Sequence, residues 1–100
     1  MSGSTLYAVY ILASRFRGTL YIGSTSNLPA RIWQHRNHVV SGFSHSYNVT
    51  RLVWFEFHED FEMAGLRERR LKRWRRAWKI ALIEESNPGW YDLYDDIAEV

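Results

Sequence analysis

Tyr10, the tripeptide Tyr21-Ile22-Gly23, Arg31 with His35 four residues on, and Glu68 alone within a run of arginines are residue types that together can break a phosphodiester bond. That reaction needs a water made nucleophilic, a proton for the departing oxygen, and positive charge around a crowded phosphorane-like transition state. Arg31 suits the last task, because a guanidinium offers a phosphoryl group a fixed fork of donors that a lysine would not reproduce. His35 could hold a water or give up a proton near neutral pH. A tyrosine hydroxyl is an unusual base. Its solution pKa of about 10 requires nearby cations or a metal that favour the phenolate, or a water-bridged proton path. Each residue also has a plainer reading. Strand tyrosines are commonly structural, an arginine early in a helix is commonly solvated, a lone helical histidine packs or faces water, and Glu68 could pair with Lys72 at i+4.

The elements that must position these residues follow from the pattern around them. Tyr10 and Tyr21 sit on two strand-like runs, Tyr7 to Leu12 and Leu20 to Ser24, separated by a polar turn ending in Gly18, which reads as a hairpin. The tyrosines are eleven residues apart with their midpoint in the turn, so they fall close together across the hairpin. A one-residue slip would put them on opposite faces. Asn27 is a good N-cap, Pro29 is tolerated in a first turn, and Ile32, Arg36 and Val39 keep helical spacing, which predicts a helix from Asn27 through Val40. Arg31 and His35 then share one face. Thr50 to His58 is almost continuously apolar and aromatic, as in a strand covered on both faces. Asp60 would cap a second helical region reaching about Glu85, with a break near Leu71 to Trp74 left open. A short element follows Asn87-Pro88-Gly89. The fold class expected is a mixed α/β (α+β) architecture, a small three-stranded sheet with helices packed around it.

With 46% apolar and 16% aromatic residues, the 100-residue chain can bury one modest core, and residues 1–100 are expected to form a single domain without internal repeats. The apolar runs are too short and interrupted for a membrane span, and the N-terminus lacks the features of a signal peptide, so a cytoplasmic protein is expected. The absence of cysteine excludes disulfides, thiolate zinc sites and cysteine nucleophiles. His35, His38, His45 and His58 find no cysteine or close carboxylate to complete a tetrahedral zinc site. A net charge of +2 hides a concentration of charge, because Arg67 to Lys79 holds eight basic residues against one acid, Glu68. Such a stretch suits a polyanion, with Arg67, Lys72, Arg73, Arg75 and Arg76 as candidate backbone contacts, though a solvated helix face has the same composition. Met63, Leu66 or Arg67, Leu71, Trp74, Trp78 and Leu82 recur at three- and four-residue steps that place the tryptophans in the core rather than against bases.

The ordered set of Tyr10, Tyr21-Ile22-Gly23, Thr25 with Asn27-Leu28, Arg31 and a later acid resembles the GIY-YIG nuclease domain, in particular its small single-domain bacterial members, over roughly Leu6 to Leu93. Two departures stand out: the first motif reads Ala8-Val9-Tyr10, and Ser24-Thr25 stand where some members place a lysine. The resemblance implies a three-stranded antiparallel sheet flanked by helices. It implies a metal-dependent endonuclease acting on DNA, with RNA an alternative, structure-selective or weakly sequence-specific, in repair or recombination. Tyr10 or Tyr21 would activate the water, and Glu68 would take the place of the metal-binding glutamate. One carboxylate with waters and substrate phosphate suits Mg²⁺, or Mn²⁺ in its place. His45 would be a second histidine in a loop after the first helix, and Asn87 a later polar position, unless it merely ends a helix. A partner protein could supply targeting. The alternative is a nucleic-acid-binding module of the same fold that has lost turnover, for which Ala8 and the missing lysine speak. A weaker one is a domain whose basic helix docks an acidic protein.

Overall fold

Alternation of apolar residues folds the first two runs onto one another. In the computed structural model, which describes residues 6–39 and 48–98, β1 (Tyr7–Ala13) pairs antiparallel with β2 (Leu20–Thr25). The turn between them is closed by Ser14 N–H donating to Thr19 O and Thr19 N–H donating to Ser14 Oγ, both at 3.0 Å. Gly18 is required there, because a Cβ would stand 2.4 Å from Ser14 Oγ. The third strand, β3 (Arg51–His58), pairs antiparallel with the other edge of β1, giving the order β2-β1-β3. A bulge shifts the register from Ile11↔Trp54 to Leu12↔Leu52. The extra residue lets Val53 and Trp54 join the same core while Leu52 joins the other.

The sheet therefore has two covered faces. Val9, Ile11, Ile22, Val53 and Trp54 pack with Ala64, Leu71, Ile83 and Trp90 from α2 (Phe61–Arg73), α3 (Arg76–Ser86) and the segment after it. Ala8, Tyr10, Leu12 and Leu52 pack with Leu28 and Ile32 of α1 (Leu28–Arg36), and with Leu93, Tyr94 and Ile97 around α4 (Tyr94–Ile97). The expected three-stranded α+β fold is the observed one, and its strands agree with the expected runs to within a residue.

The first helix is shorter than expected. It stops at Arg36, because His38 takes a left-handed conformation (φ 56°) and Val39 N–H turns back to Gln34 O at 2.9 Å. This closure satisfies the last carbonyls and ends the helix without glycine. The remainder of that expected helix, Val40, and the loop containing His45 lie outside the described residues. The open question of a break is resolved at Trp74 and Arg75, both extended (ψ 151° and 153°), which separate α2 from α3. Trp74 then packs partly against the core, but Trp78 is 51% exposed, contrary to the core position its spacing predicts. The two-residue break shifts the phase of the helical stripe, so spacing counted through it points Trp78 the wrong way. Among the described residues no helix is long and apolar enough to cross a membrane.

Candidate active site

Pairing of Ala8 through Ala13 with Thr25 back to Leu20 sets Tyr10 opposite Gly23, and Tyr21 opposite Leu12. Both tyrosines consequently lie on the α1 face, with ring centroids 6.4 Å apart. Gly23 is what allows this. The Tyr10 ring lies over it, and a Cβ there would meet Tyr10 Oη at 2.6 Å and Tyr21 Cε2 at 3.2 Å. Ala8, in place of the motif glycine, is buried in the same cluster as Tyr10, and no left-handed conformation is needed at that position. Its methyl group is core packing.

The N-cap Asn27 accepts from Ala30 N–H at 3.2 Å, which starts α1 and fixes the rotation of its faces. Leu28, Ile32 and His35 form its buried stripe. His35 is thus a polar residue on an apolar stripe, 2% exposed, and its Nε2 makes a 3.1 Å hydrogen bond with Tyr10 Oη. Burial, followed by the positive charge of Arg31, pushes the imidazole down to about 4. It is neutral at physiological pH, not the group titrating near neutrality that its residue type suggests. Burial also raises the Tyr10 phenol to about 12, with the charges of Tyr21 and Glu68 adding to the rise and Arg31 opposing it. Tyr10 is therefore a protonated, inward-facing anchor. Tyr21, packed 5.2 Å from the His35 ring, is only partly buried. Arg31, also partly buried, reaches Gln34 Oε1 at 3.1 Å, and its charge acts on both Tyr10 and His35.

Glu68 comes from the other side of the sheet. Ser24 pairs with Val9 and so points away from the tyrosine face, toward α2. Its hydroxyl donates to Glu68 Oε1 at 2.5 Å, while Lys72 Nζ lies 2.7 Å from Oε2. Burial pushes this carboxyl up, but the Lys72 and Ser24 hydrogen bonds and the Lys72 and Arg69 charges outweigh it, leaving it below the usual carboxylate range. The carboxylate is ionised and held at both oxygens. Ser24 was not recognisable as a partner of Glu68 in the sequence, although strand alternation after Gly23 already sends it to the opposite face. Ser24 and Thr25 stand where some members of the resembled family place a lysine, and in this chain an ammonium reaches Glu68 from Lys72.

Two halves thus meet around edge strand β2, with Tyr21, Tyr10, Arg31 and His35 on one face and Ser24, Glu68 and Lys72 on the other. No cluster of three or more metal-ligating His, Asp or Glu side chains exists among the described residues. A divalent cation would have the single carboxylate of Glu68 as its protein ligand and take waters and a phosphate for the rest, a donor set that suits Mg²⁺.

The remaining expected residues separate. Asn87 is buried as the C-cap of α3, donating to Val53 O (3.1 Å) and Tyr91 O (3.0 Å) and accepting from Tyr91 N–H (3.1 Å). Its amide holds backbone, the helix-ending role that its place before Pro88 also allowed. Arg67 is paired with Glu56 at 3.0 Å and stacked against Trp54 and Trp74. Arg76 donates to the carbonyls of Arg17 and Gly18 at 2.6 and 2.7 Å, tying α3 to the hairpin turn. Arg69, Arg70, Arg73 and Arg75 remain exposed.

The GIY-YIG catalytic domain family matches residues 6–81. The chain is also 35% identical over 79 residues to a UPF0213 protein of Clostridium perfringens (strain 13 / Type A), an alignment covering 79% of this chain and 84% of that protein. No solved structure matches the chain.

Proposed function

Because the chain belongs to the GIY-YIG family of nuclease-type catalytic domains, we propose that it is a divalent-metal-dependent endonuclease that hydrolyses phosphodiester bonds in DNA. The observation that carries this reading is the convergence on the Gly23–Ser24 edge of a partly buried tyrosine, an arginine and an ionised carboxylate. A water attacks phosphorus, forming one P–O bond as the bond to the departing sugar oxygen breaks. Tyr21 orients that water and accepts its proton as its own hydroxyl proton passes through solvent water to the departing oxygen, since Tyr10 is buried, protonated and engaged with His35. Arg31 holds the phosphoryl oxygens and stabilises the charge that grows on them. Glu68, oriented by Ser24, would hold Mg²⁺ or Mn²⁺, which would supply positive charge to the phosphate. Lys72 keeps the carboxylate ionised and adds positive charge beside it.

Exposed Arg69, Arg70, Arg73 and Arg75 track the nucleic-acid backbone. Backbone contacts carry little sequence information, which favours structure-selective or weakly specific cutting, of the kind repair or recombination uses. Residues 1–100 act in this reading as one cytoplasmic catalytic domain, to which a partner protein gives targeting.

Cleavage of labelled duplex, branched and single-stranded DNAs, with RNA alongside, in Mg²⁺ or Mn²⁺ tests this. Native protein is expected to cut, while Glu68→Ala and Arg31→Ala, purified in parallel, bind without cutting. Binding by the native chain without cutting in either metal would instead identify a non-catalytic module.

A further inference from the structure

A cavity of about 440 Å³ adjoins the Glu68 side of the site, lined by Tyr7, Ser24, Thr25, Ser26, Phe61 and Ala64. Its wall includes the hydroxyl residue, Ser24, that is bonded to the Glu68 carboxylate. Phe61 begins α2 and is 70% exposed, so it contributes little to either core. Its ring is nonetheless held in place, edge-on to Tyr7 with centroids 5.6 Å apart and planes at 69°. The cavity thus combines a braced aromatic face with a polar rim, in which the Ser24 hydroxyl is engaged with Glu68 and the Thr25 hydroxyl with the Asn27 backbone, a chemistry that fits a flat ring with polar edges.

The charges around it set a direction. Glu59, Asp60 and Glu62 surround Phe61 in the chain and repel phosphate at that end, Glu62 from within the groove that starts there. From Phe61 a groove passes Gly65 to Arg69, and a smaller cleft of about 180 Å³ among Leu66, Arg69, Arg70 and Arg73 continues it. The floor is open at Gly65, where a Cβ would have only Arg69 Nη1 near it, at 3.4 Å. A strand whose base enters the cavity can therefore lead its phosphates along α2 toward the exposed arginines.

We infer that this cavity is a nucleobase subsite that receives an unpaired nucleotide next to the phosphate being cut. The assignment of that phosphate rests on the nuclease reading above, whereas base binding does not. A base stacked within a duplex has both faces covered and cannot lie against Phe61. The substrate class selected is a flap, fork or single strand, in preference to continuous duplex.

The full chain tests this with 2-aminopurine placed at the unpaired position of a forked DNA and at the same position in a duplex. Native protein is expected to quench the forked probe and to leave the duplex probe unchanged. Phe61→Ala should abolish the quenching and weaken fork binding by about tenfold, with duplex affinity unchanged, because one aromatic–base stack is of that size. Phe61→Trp should restore both. Ser26→Trp, which puts bulk on another residue of the lining, should reproduce the loss if Phe61→Ala fails to fold. A fork-to-duplex preference that survives Phe61→Ala or Ser26→Trp, or equal losses on both substrates, would overturn the subsite. Quenching that depends on Phe61 in a chain that cuts nothing would uphold the subsite while refuting the nuclease, and cutting without such quenching would do the reverse.

Discussion

The two tyrosines of the site, so alike in sequence, differ in what their surroundings permit. Tyr10 is 1% exposed, raised to about 12 and bonded to His35, so its role is to hold the α1 face together. Tyr21→Phe is expected to lower the single-turnover rate by at least about a hundredfold, the lower bound for positioned base catalysis, without altering binding. Tyr10→Phe should instead cost about 1–3 kcal/mol in chemical denaturation, because it removes the buried hydrogen bond between Tyr10 Oη and His35 Nε2. His35 gives a pH signature. Its pKa is depressed in the folded chain, from 6.5 to about 4, so the neutral form contributes stability fully above pH 6.5, which is lost as pH falls toward 4. The loss is at most about 3 kcal/mol. His35→Gln, which keeps a hydrogen-bonding side chain and cannot titrate, should flatten that part of the stability profile in urea melts taken from pH 8 to 4. At this scale the sequence was informative about residue type and silent about environment: burial, which nothing in a single sequence measures, separates the anchor tyrosine from the one proposed to act on the water.

At the scale of elements, the hairpin, the N-cap of α1 and the Asp60 cap were legible because each has a local cause. Asp60 Oδ1 accepts from Glu62 N–H at 2.8 Å, as a cap at that position requires. The end of α1 and the break before α3 were not, because a left-handed histidine and an extended Trp74-Arg75 pair carry no glycine or proline signal. Long-range bonds accompany the break, as Arg76 reaches the Arg17 and Gly18 carbonyls. Strand parity is the feature that organises the site, sending Gly23 under the tyrosines and Ser24 to Glu68. Gly23→Ala should displace the Tyr10 ring, cost about 1–3 kcal/mol and depress cutting together with stability. Asn87→Ala separates the two effects. It should lose about 1–3 kcal/mol in urea melts, since Val53 O, Tyr91 O and Tyr91 N–H lose their shared partner, while kcat stays at the native value.

For the molecule as a whole, clustering of eight basic residues between Arg67 and Lys79 was plain in the sequence, but their division of labour was not. Arg67 and Arg76 hold structure, Lys72 sits on Glu68 and Lys79 donates to Lys72 O at 3.4 Å, which leaves Arg69, Arg70, Arg73 and Arg75 as the proposed phosphate contacts. The dependence of log K on log salt should therefore become shallower by about 1 in Arg73→Ala and stay at the native slope in Arg67→Ala. The central claim is that one catalytic unit wraps the β2 edge, joining Tyr21 on one face of the sheet to Glu68 on the other. Single-turnover cleavage of a forked DNA in Mg²⁺ by the native chain, Tyr21→Phe, Glu68→Gln and the double variant tests it most directly. If the two residues serve the same step, each single variant loses about a hundredfold or more and the double variant loses little beyond the worse of them. Native rates in either single variant, or losses that multiply in the double, would contradict it.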